Sequence, residues 1–182
     1  MERILLSCSQ LSATSVDDVR ELRAVLAAAP DYSLLMEGKL PAPSAAEELF
    51  AALPPGKSLA DKFVLGFYSA SGMVGCADVI RDYPTQQIAF IGLLLFVEAE
   101  QGKSYGVLAL RHIEDMAKSW GCTALRIAVI ERNTRALAFW QREGFTEIYR
   151  KPSSDYTGQA IVMERTHLCP ASAQPLNSAH ND

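Results

Sequence analysis

Apolar positions recur in two different periods along this chain, and the switches between them lay out one mixed α/β domain. Residues 88–97 are apolar at nearly every position, as expected of a strand covered on both faces in the middle of a sheet. From Ser104 the spacing changes to three and four. Val107, Leu110, Ile113, Met116 or Ala117, and Trp120 predict a helix that stops at Gly121. Residues 124–130 form a second apolar strand, so 88–130 reads strand, helix, strand, a unit that crosses over right-handed and pairs its strands in parallel. Residues 133–143 predict another helix, closed by Gly144. Residues 145–151 and 159–165 read as a terminal hairpin.

The N-terminal half is punctuated by caps and breakers. Residues 3–9 read as a first strand. Ser15, with Asp18 three residues on, starts a helix that runs to about Ala29 and is ended by Pro30. Residues 31–43 are loop-like. Ser44 with Glu47 then resembles a capping box before a short helix over 45–53, stopped by Pro54-Pro55-Gly56. Residues 62–69 and 73–81 are rich in strand formers and join through Ala70-Ser71-Gly72 as a hairpin, and Tyr83-Pro84-Thr85 marks the next turn. From His167 the chain is polar and rich in Pro and Ser, so the expectation is a domain over 1–166 and a disordered tail over 167–182.

Composition narrows the function classes. A chain of 182 residues, 49% hydrophobic and 21% charged, has the size and make-up of a single globule with a real core. The longest apolar stretch, 88–97, is half of what a spanning helix needs, and the first ten residues lack a cationic start followed by a long apolar run. The reading is a cytoplasmic protein that does not enter a membrane. A net charge of −4 and the lack of any basic run argue against nucleic acid. Four cysteines without a CxxC pair, and three histidines mostly near the tail, suggest neither a disulfide framework nor a metal site.

The segment 101–106, QGKSYG, carries the candidate chemistry. A glycine-bearing loop that runs into a helix gathers free backbone N–H groups and the positive end of the helix dipole at one point, which suits phosphate oxygens. Gly102 and Gly106 let backbone approach a pyrophosphate, Lys103 adds a charge, and Ser104 is suited to cap the helix or to donate to a phosphate. Gly102-Lys103-Ser104 also looks like the end of a P-loop. That motif needs a glycine at position 97, which is valine within an apolar strand, and no strand ends in an aspartate able to organise magnesium, so the nucleotide-hydrolase reading fails.

Two segments together resemble the GNAT superfamily of acyl-CoA-dependent N-acetyltransferases. Gln101 and Gly106 fit the family's loop, Gln/Arg-x-x-Gly-x-Gly/Ala; Asn133, Ala136, Phe139, Gly144 and Phe145 fit its later helix and exit. Ser104 departs where a glycine is usual, and Trp140 where a tyrosine is usual, which in the family often protonates the departing thiolate. Trp140 with Ala136 and Phe139 forms one apolar stripe, so its reading from the residues is core packing.

The resemblance implies a central mixed, mostly antiparallel sheet flanked by helices, with a parallel strand-helix-strand unit that takes acetyl-CoA. It implies that Leu94, Leu95, Phe96 and Val97 diverge from the neighbouring strand and offer backbone groups to pantetheine. Gln101, Gly102, Lys103, Ser104, Tyr105 and Gly106 would take the phosphates, with Asn133, Phe139 and Trp140 on the second helix completing the cofactor site. The implied reaction is direct attack of an amine, of a small molecule or a peptide, on the thioester. Asp78, Asp82, Tyr83 and Glu98 are the acid–base candidates, and Tyr32, Glu37 and Tyr68 the acceptor-pocket candidates. A transferase of longer acyl-CoA and a catalytically weak acyl-CoA-binding sensor are the alternatives. A homodimer through the 145–165 hairpin edge is also implied.

Overall fold

A computed structural model describes residues 5–152, 158–166 and 168. Its strands are β1 (Ser7–Gln10), β2 (Lys62–Ser69), β3 (Gly72–Ile80), β4 (Ile88–Phe96), β5 (Ala124–Ile130), β6 (Thr146–Pro152) and β7 (Gln159–Thr166). They form one seven-stranded sheet in the order β1-β2-β3-β4-β5-β7-β6, and every neighbouring pair is antiparallel except β4 with β5. The helices are α1 (Val16–Ala27), α2 (Pro30–Glu37), α3 (Ala45–Ala51), α4 (Tyr105–Ser119) and α5 (Thr134–Arg142). Among the described residues no helix is long and apolar enough to cross a membrane.

The sheet separates two cores. On one face α4 presents Leu110 and Ile113, and α5 presents Trp140, to Phe67, Val79, Ile91, Leu125, Ile127 and Met163. On the other, Leu22 and Val25 of α1 and Ala46 and Phe50 of α3 cover Val64, Cys76, Leu93 and Leu95. Each large side chain buried this way contributes about 1.5–3 kcal/mol. The uninterrupted apolar run of β4 serves both faces, with a change of phase in the middle. Ala89 and Ile91 face the α4 core, whereas beyond Gly92 it is Leu94 and Phe96 that do, because a bulge at Gly92 advances the alternation by one residue.

Several sequence expectations are corrected. Pro30 does not open a loop: it is the first residue of α2, where a missing N–H costs nothing, and Gly38 at φ 70 closes that helix. Ser15 caps α1 as expected, accepting from the Asp18 N–H at 3.2 Å. Ser44 forms no capping box; its hydroxyl donates to Glu48 at 2.6 Å, and α3 ends at Ala51. A capping box forms instead between Ser58 and Asp61, around the short 3-10 turn Leu59–Asp61 that leads into β2. β1 begins at Ser7; positions 3 and 4 of the expected first strand lie outside the described residues. Leu168, past the expected domain boundary, is buried and donates its N–H to the Thr123 carbonyl at 3.0 Å. The rest of the expected tail, 169–182, and His167 lie outside the described residues.

Candidate active site at the fork between β4 and β5

The parallel pairing of β4 and β5 covers four positions, from Ile88 opposite Ala124 to Ile91 opposite Ile127, and then stops. Beyond it β4 stays registered with β3 as far as Phe96 opposite Gly75, and β5 stays registered with β7 as far as Ile130 opposite Ala160. The two strands therefore open into a fork. Its apex coincides with the bulge, where Gly92 is the extra residue between the pairs Val79–Ile91 and Asp78–Leu93. A bulge bends its strand and strengthens the local twist, which accounts for the parting. Among the described residues, the edge of β4 that faces the gap has no strand partner along 92–96, so its outward N–H and C=O groups, apart from the Phe96 carbonyl, are available to an extended ligand. Leu95 and Phe96 are buried, and Leu94 and Val97 half-buried, lining the two sides of this arm.

The loop closing the outer end of the fork leads into α4. A 3-10 turn, Glu98–Glu100, follows Val97; the Gln101 side-chain amide then reaches back to donate to the Phe96 carbonyl at 3.0 Å. Phe96 in turn stacks on Tyr105, ring centroids 6.0 Å apart, which fixes the start of α4 against the tip of β4. Gly102 has φ 81 with nothing near the position of a Cβ. α4 starts with no side-chain cap. The N–H groups of Tyr105, Gly106 and Val107, which a helix cannot satisfy internally, thus stand at its open end. Uncapped N–H groups at a positive dipole end, next to an unpaired strand edge, fit the pyrophosphate and pantetheine of a coenzyme A thioester.

Three loop residues behave differently from their sequence reading. Ser104 does not use its hydroxyl as a cap; it sits at φ 61, the left-handed region in which glycine is at ease, and this is the position at which the family carries glycine. Lys103 is not a free charge, since its ammonium lies 2.9 Å from the Glu100 carboxylate. Gly106 is closely packed: a Cβ there would come within 3.1 Å of the Phe139 ring. Asn133 caps α5, accepting from the Ala136 N–H at 3.1 Å. Phe139 is half-buried under the Arg142 guanidinium, whereas Trp140 is buried edge-on to Phe139 and Phe145, with both centroids at 4.9 Å. Trp140 is thus a core residue.

Of the four acid–base candidates, two lie on the closed, paired side of the fork. Asp82 and Tyr83 lie in the β3–β4 turn, at the closed end of the β4–β5 pair. Asp82 accepts from the Gln87 N–H at 2.8 Å, and Tyr83 meets the Phe90 ring edge-on at 5.5 Å. The turn precedes Ile88, four residues of β4 and about 13 Å, at roughly 3.3 Å per residue, short of the fork's apex at Gly92 and on its paired side. Glu98 lies just past the tip of β4, at the open end of the fork, and is engaged. Its N–H donates to the Ala28 carbonyl at 3.1 Å, and its carboxylate accepts from the Asp31 N–H at 3.0 Å, supplying the cap that α2 otherwise lacks.

Asp78 is different. It projects from β3 onto the α1 face beside the fork's apex, and its Oδ2 lies 3.1 Å from where a Cβ of Gly92 would be. Its Oδ1 accepts from the Lys62 ammonium at 2.7 Å. The side chains of Lys62 and Asp78 are 2% and 12% exposed, so this is a buried ion pair with a narrow opening at the aspartate. Burial pushes the Asp78 carboxyl above the ordinary aspartate value, and the Lys62 ammonium opposes that rise. Lys62 is absent from the sequence reading because a single lysine carries no motif. A signal did exist: a lysine and an aspartate, each inside an otherwise apolar strand of one hairpin, sit two residues apart in register, Asp78 lying opposite Val64.

On the acceptor side, Tyr68 donates its hydroxyl to Glu21 of α1 at 3.2 Å, and burial raises its phenol above the ordinary tyrosine value. Tyr32 packs on the α1-face core, and Glu37 pairs with Lys39 at 3.3 Å at the exposed end of α2.

Known proteins place this geometry. Over 90% of the chain, the fold superposes on 99% of an acetyltransferase from Thermus thermophilus, with a TM-score of 0.71 and 22% identity. It also matches the ribosomal-protein-S18-alanine N-acetyltransferase of Escherichia coli, TM-score 0.65, 16% identity, covering 94% and 98% of the two chains. A third match is an IAA acetyltransferase from Bacillus cereus, TM-score 0.60, 14% identity, covering 89% and 99%. At these identities the likeness is one of fold. No curated protein matches the chain significantly. The sequence profile of the acetyltransferase (GNAT) family matches residues 32–145, a stretch that holds both the fork and the loop beyond it. By that match over more than half of its length, the chain belongs to the GNAT acetyltransferase family.

Proposed function

We propose that this protein transfers the acetyl group of acetyl-CoA to a primary amine of a small molecule or peptide, by direct attack with both substrates bound. The observation that carries the reading is the fork, a parallel pair that parts at a glycine bulge and points its unpaired edge at an uncapped helix. Bound acetyl-CoA would supply the activated acyl carbon. The first-turn N–H groups of α4 hold the phosphates, each such interaction contributing about 0.3–1 kcal/mol, so several act together. The free edge of β4 over residues 92–96 holds the pantetheine and presents donors toward the thioester oxygen.

Buried Trp140 supplies no proton to the departing thiolate, because an indole N–H is not a useful acid. None is required. An alkyl thiol with a pKa near the cysteine value of about 8.5 leaves well and is protonated from solvent. Tyr156, an alternative donor by sequence, lies outside the described residues. A lysine-like acceptor is protonated by roughly 3 pK units at neutral pH, about 4 kcal/mol that the site must help offset.

The test is release of free thiol from acetyl-CoA in the presence of a panel of amino acids, polyamines, aminoglycosides and peptide N-termini. Amine-dependent thiol release, falling as the acyl chain is lengthened, is the expected result. Coenzyme A binding without thiol release from any amine would replace the transferase reading with the sensor reading.

A further inference from the structure

We infer that Asp78 is the general base of this site and that Lys62 is the residue that positions it and keeps it ionised. The inference deepens the transferase reading and rests on it. Three independent features of the geometry converge. The first is place: Asp78 is registered opposite Leu93 at the bulge that starts the fork, so its carboxylate lies beside the first residues of β4 to lose their parallel partner. The second is access. Gly92 is exposed and carries no side chain, its Cβ position lying 3.1 Å from Asp78 Oδ2, so the carboxylate is covered on that side by nothing but a glycine. Any other residue at position 92 would press on the carboxylate.

The third feature is the partner. A buried carboxylate is costly unless paired, and such a pair is weak evidence for stability, since an apolar pair of similar volume would serve the fold as well. Lys62 engages Oδ1 alone and leaves Oδ2 on the Gly92 side. The titratable groups facing Asp78 are Lys62 from β2 and, on its own strand, the Cys76 thiol, which burial pushes up to about 12 and so keeps neutral. β4 presents only Gly92 and Leu93.

The acceptor arrives as an ammonium; one N–H bond breaks and an O–H bond forms at Asp78 Oδ2. The freed nitrogen lone pair bonds to the acyl carbon, the C–S bond breaks, and the electron pair leaves on sulfur as a thiolate. The nitrogen, again carrying a positive charge, loses its second proton to solvent as the amide forms, the thiolate takes one from solvent, and Asp78 returns its proton to solvent, so that one proton is released per turnover. A base raised toward neutrality by burial is better matched to this transfer than an exposed aspartate. Lys62 sets how far it is raised, because an adjacent ammonium favours the ionised carboxylate.

Two readouts test the assignment. The carboxyl 13C shift of Asp78 is titrated in the ligand-free protein, in wild type and in Lys62→Met. The pH profile of kcat/KM is measured with the best amine. Asp78 is expected to titrate above the ordinary aspartate value of about 3.9. In Lys62→Met the titration and the acid limb of the profile should both move to higher pH, by about one unit or more. Asp78→Asn should lose about 100-fold or more in kcat with a smaller change in KM. That variant strands the Lys62 ammonium, so the double variant Lys62→Met, Asp78→Asn is the folding control and should be equally slow. Ordinary titration of Asp78, an acid limb unmoved in Lys62→Met, or a folded double variant with near wild-type turnover would each overturn the assignment. A wild-type protein that binds coenzyme A and releases no thiol would instead remove the transferase reading, and the base with it, whatever the carboxyl titration shows.

Discussion

Replacing Ser104 by glycine should make this protein more stable, and the gain can be worked from local geometry. Ser104 holds φ 61 immediately before α4, makes no side-chain cap bond, and is exposed. An L-residue in the left-handed conformation costs about 1–2 kcal/mol relative to the right-handed one, and glycine removes that cost. Against this, glycine restores freedom to the unfolded chain, worth about 0.4–1 kcal/mol. The net expectation is a gain of about 0.5–1 kcal/mol, or about 1–4 °C in melting temperature for a domain of this size. Ser104→Ala is the control, because it removes the hydroxyl and keeps the Cβ, and should gain nothing. Reversible urea unfolding of the three proteins measures the difference. A glycine variant no more stable than wild type, or an alanine variant equal to it, would refute the strain argument and with it the explanation of why this loop position favours glycine.

Gly106→Ala should fail to gain the about 0.5–1 kcal/mol that Ala usually gives over Gly in a helix, because the new Cβ comes within 3.1 Å of the Phe139 ring; in Phe139→Leu background the same substitution should show that gain, and equal effects in thermal denaturation would contradict the contact. Trp140→Phe should lose about 1–2 kcal/mol, below the cost of full truncation, while keeping most of its thiol-release turnover, whereas a collapse of turnover at unchanged stability would make Trp140 a site residue. Among the described residues β6 is an edge strand with no partner on its outer side, and its Ile148 and Tyr149 are 42% and 47% exposed, so we expect pairing of two copies there. Light scattering at micromolar concentration should return about twice the 19.9 kDa of one chain, falling to one chain in Ile148→Lys, and a monomeric wild type would count against that edge.

Most elements were legible in the sequence because periodicity reports burial and the caps report ends. The strand-helix-strand unit, both hairpins and the Ser15 cap of α1 follow from that alone. Less visible was anything decided by register. The apolar run of β4 cannot announce that its alternation shifts at Gly92, since residues on both sides of the shift are equally apolar; the bulge and the fork's apex appear only once β3 is laid beside it. The role of Gly106 depends on Phe139, 33 positions later, and that of Glu98 on an N–H of Asp31, 67 positions earlier. Asp82 and Tyr83 look like neighbours of Asp78 in sequence, but they lie in the turn before β4, about 13 Å of paired strand short of the fork's apex. Pro30 misled because proline stops one helix and starts the next with equal ease.

The central claim, that the open start of α4 beside the fork holds the phosphates of acetyl-CoA, is tested most directly by calorimetric titration of Ser104→Asp against Ser104→Asn. Aspartate and asparagine have the same shape and both tolerate the left-handed backbone, and a carboxylate at a helix N-terminus favours the helix, so the fold is not at issue. Only the charge differs. The account predicts that Ser104→Asn binds acetyl-CoA as wild type does, while Ser104→Asp binds at least about tenfold more weakly, about 1.4 kcal/mol, with the gap narrowing as salt is added. Equal affinities for the two variants at low salt would contradict it.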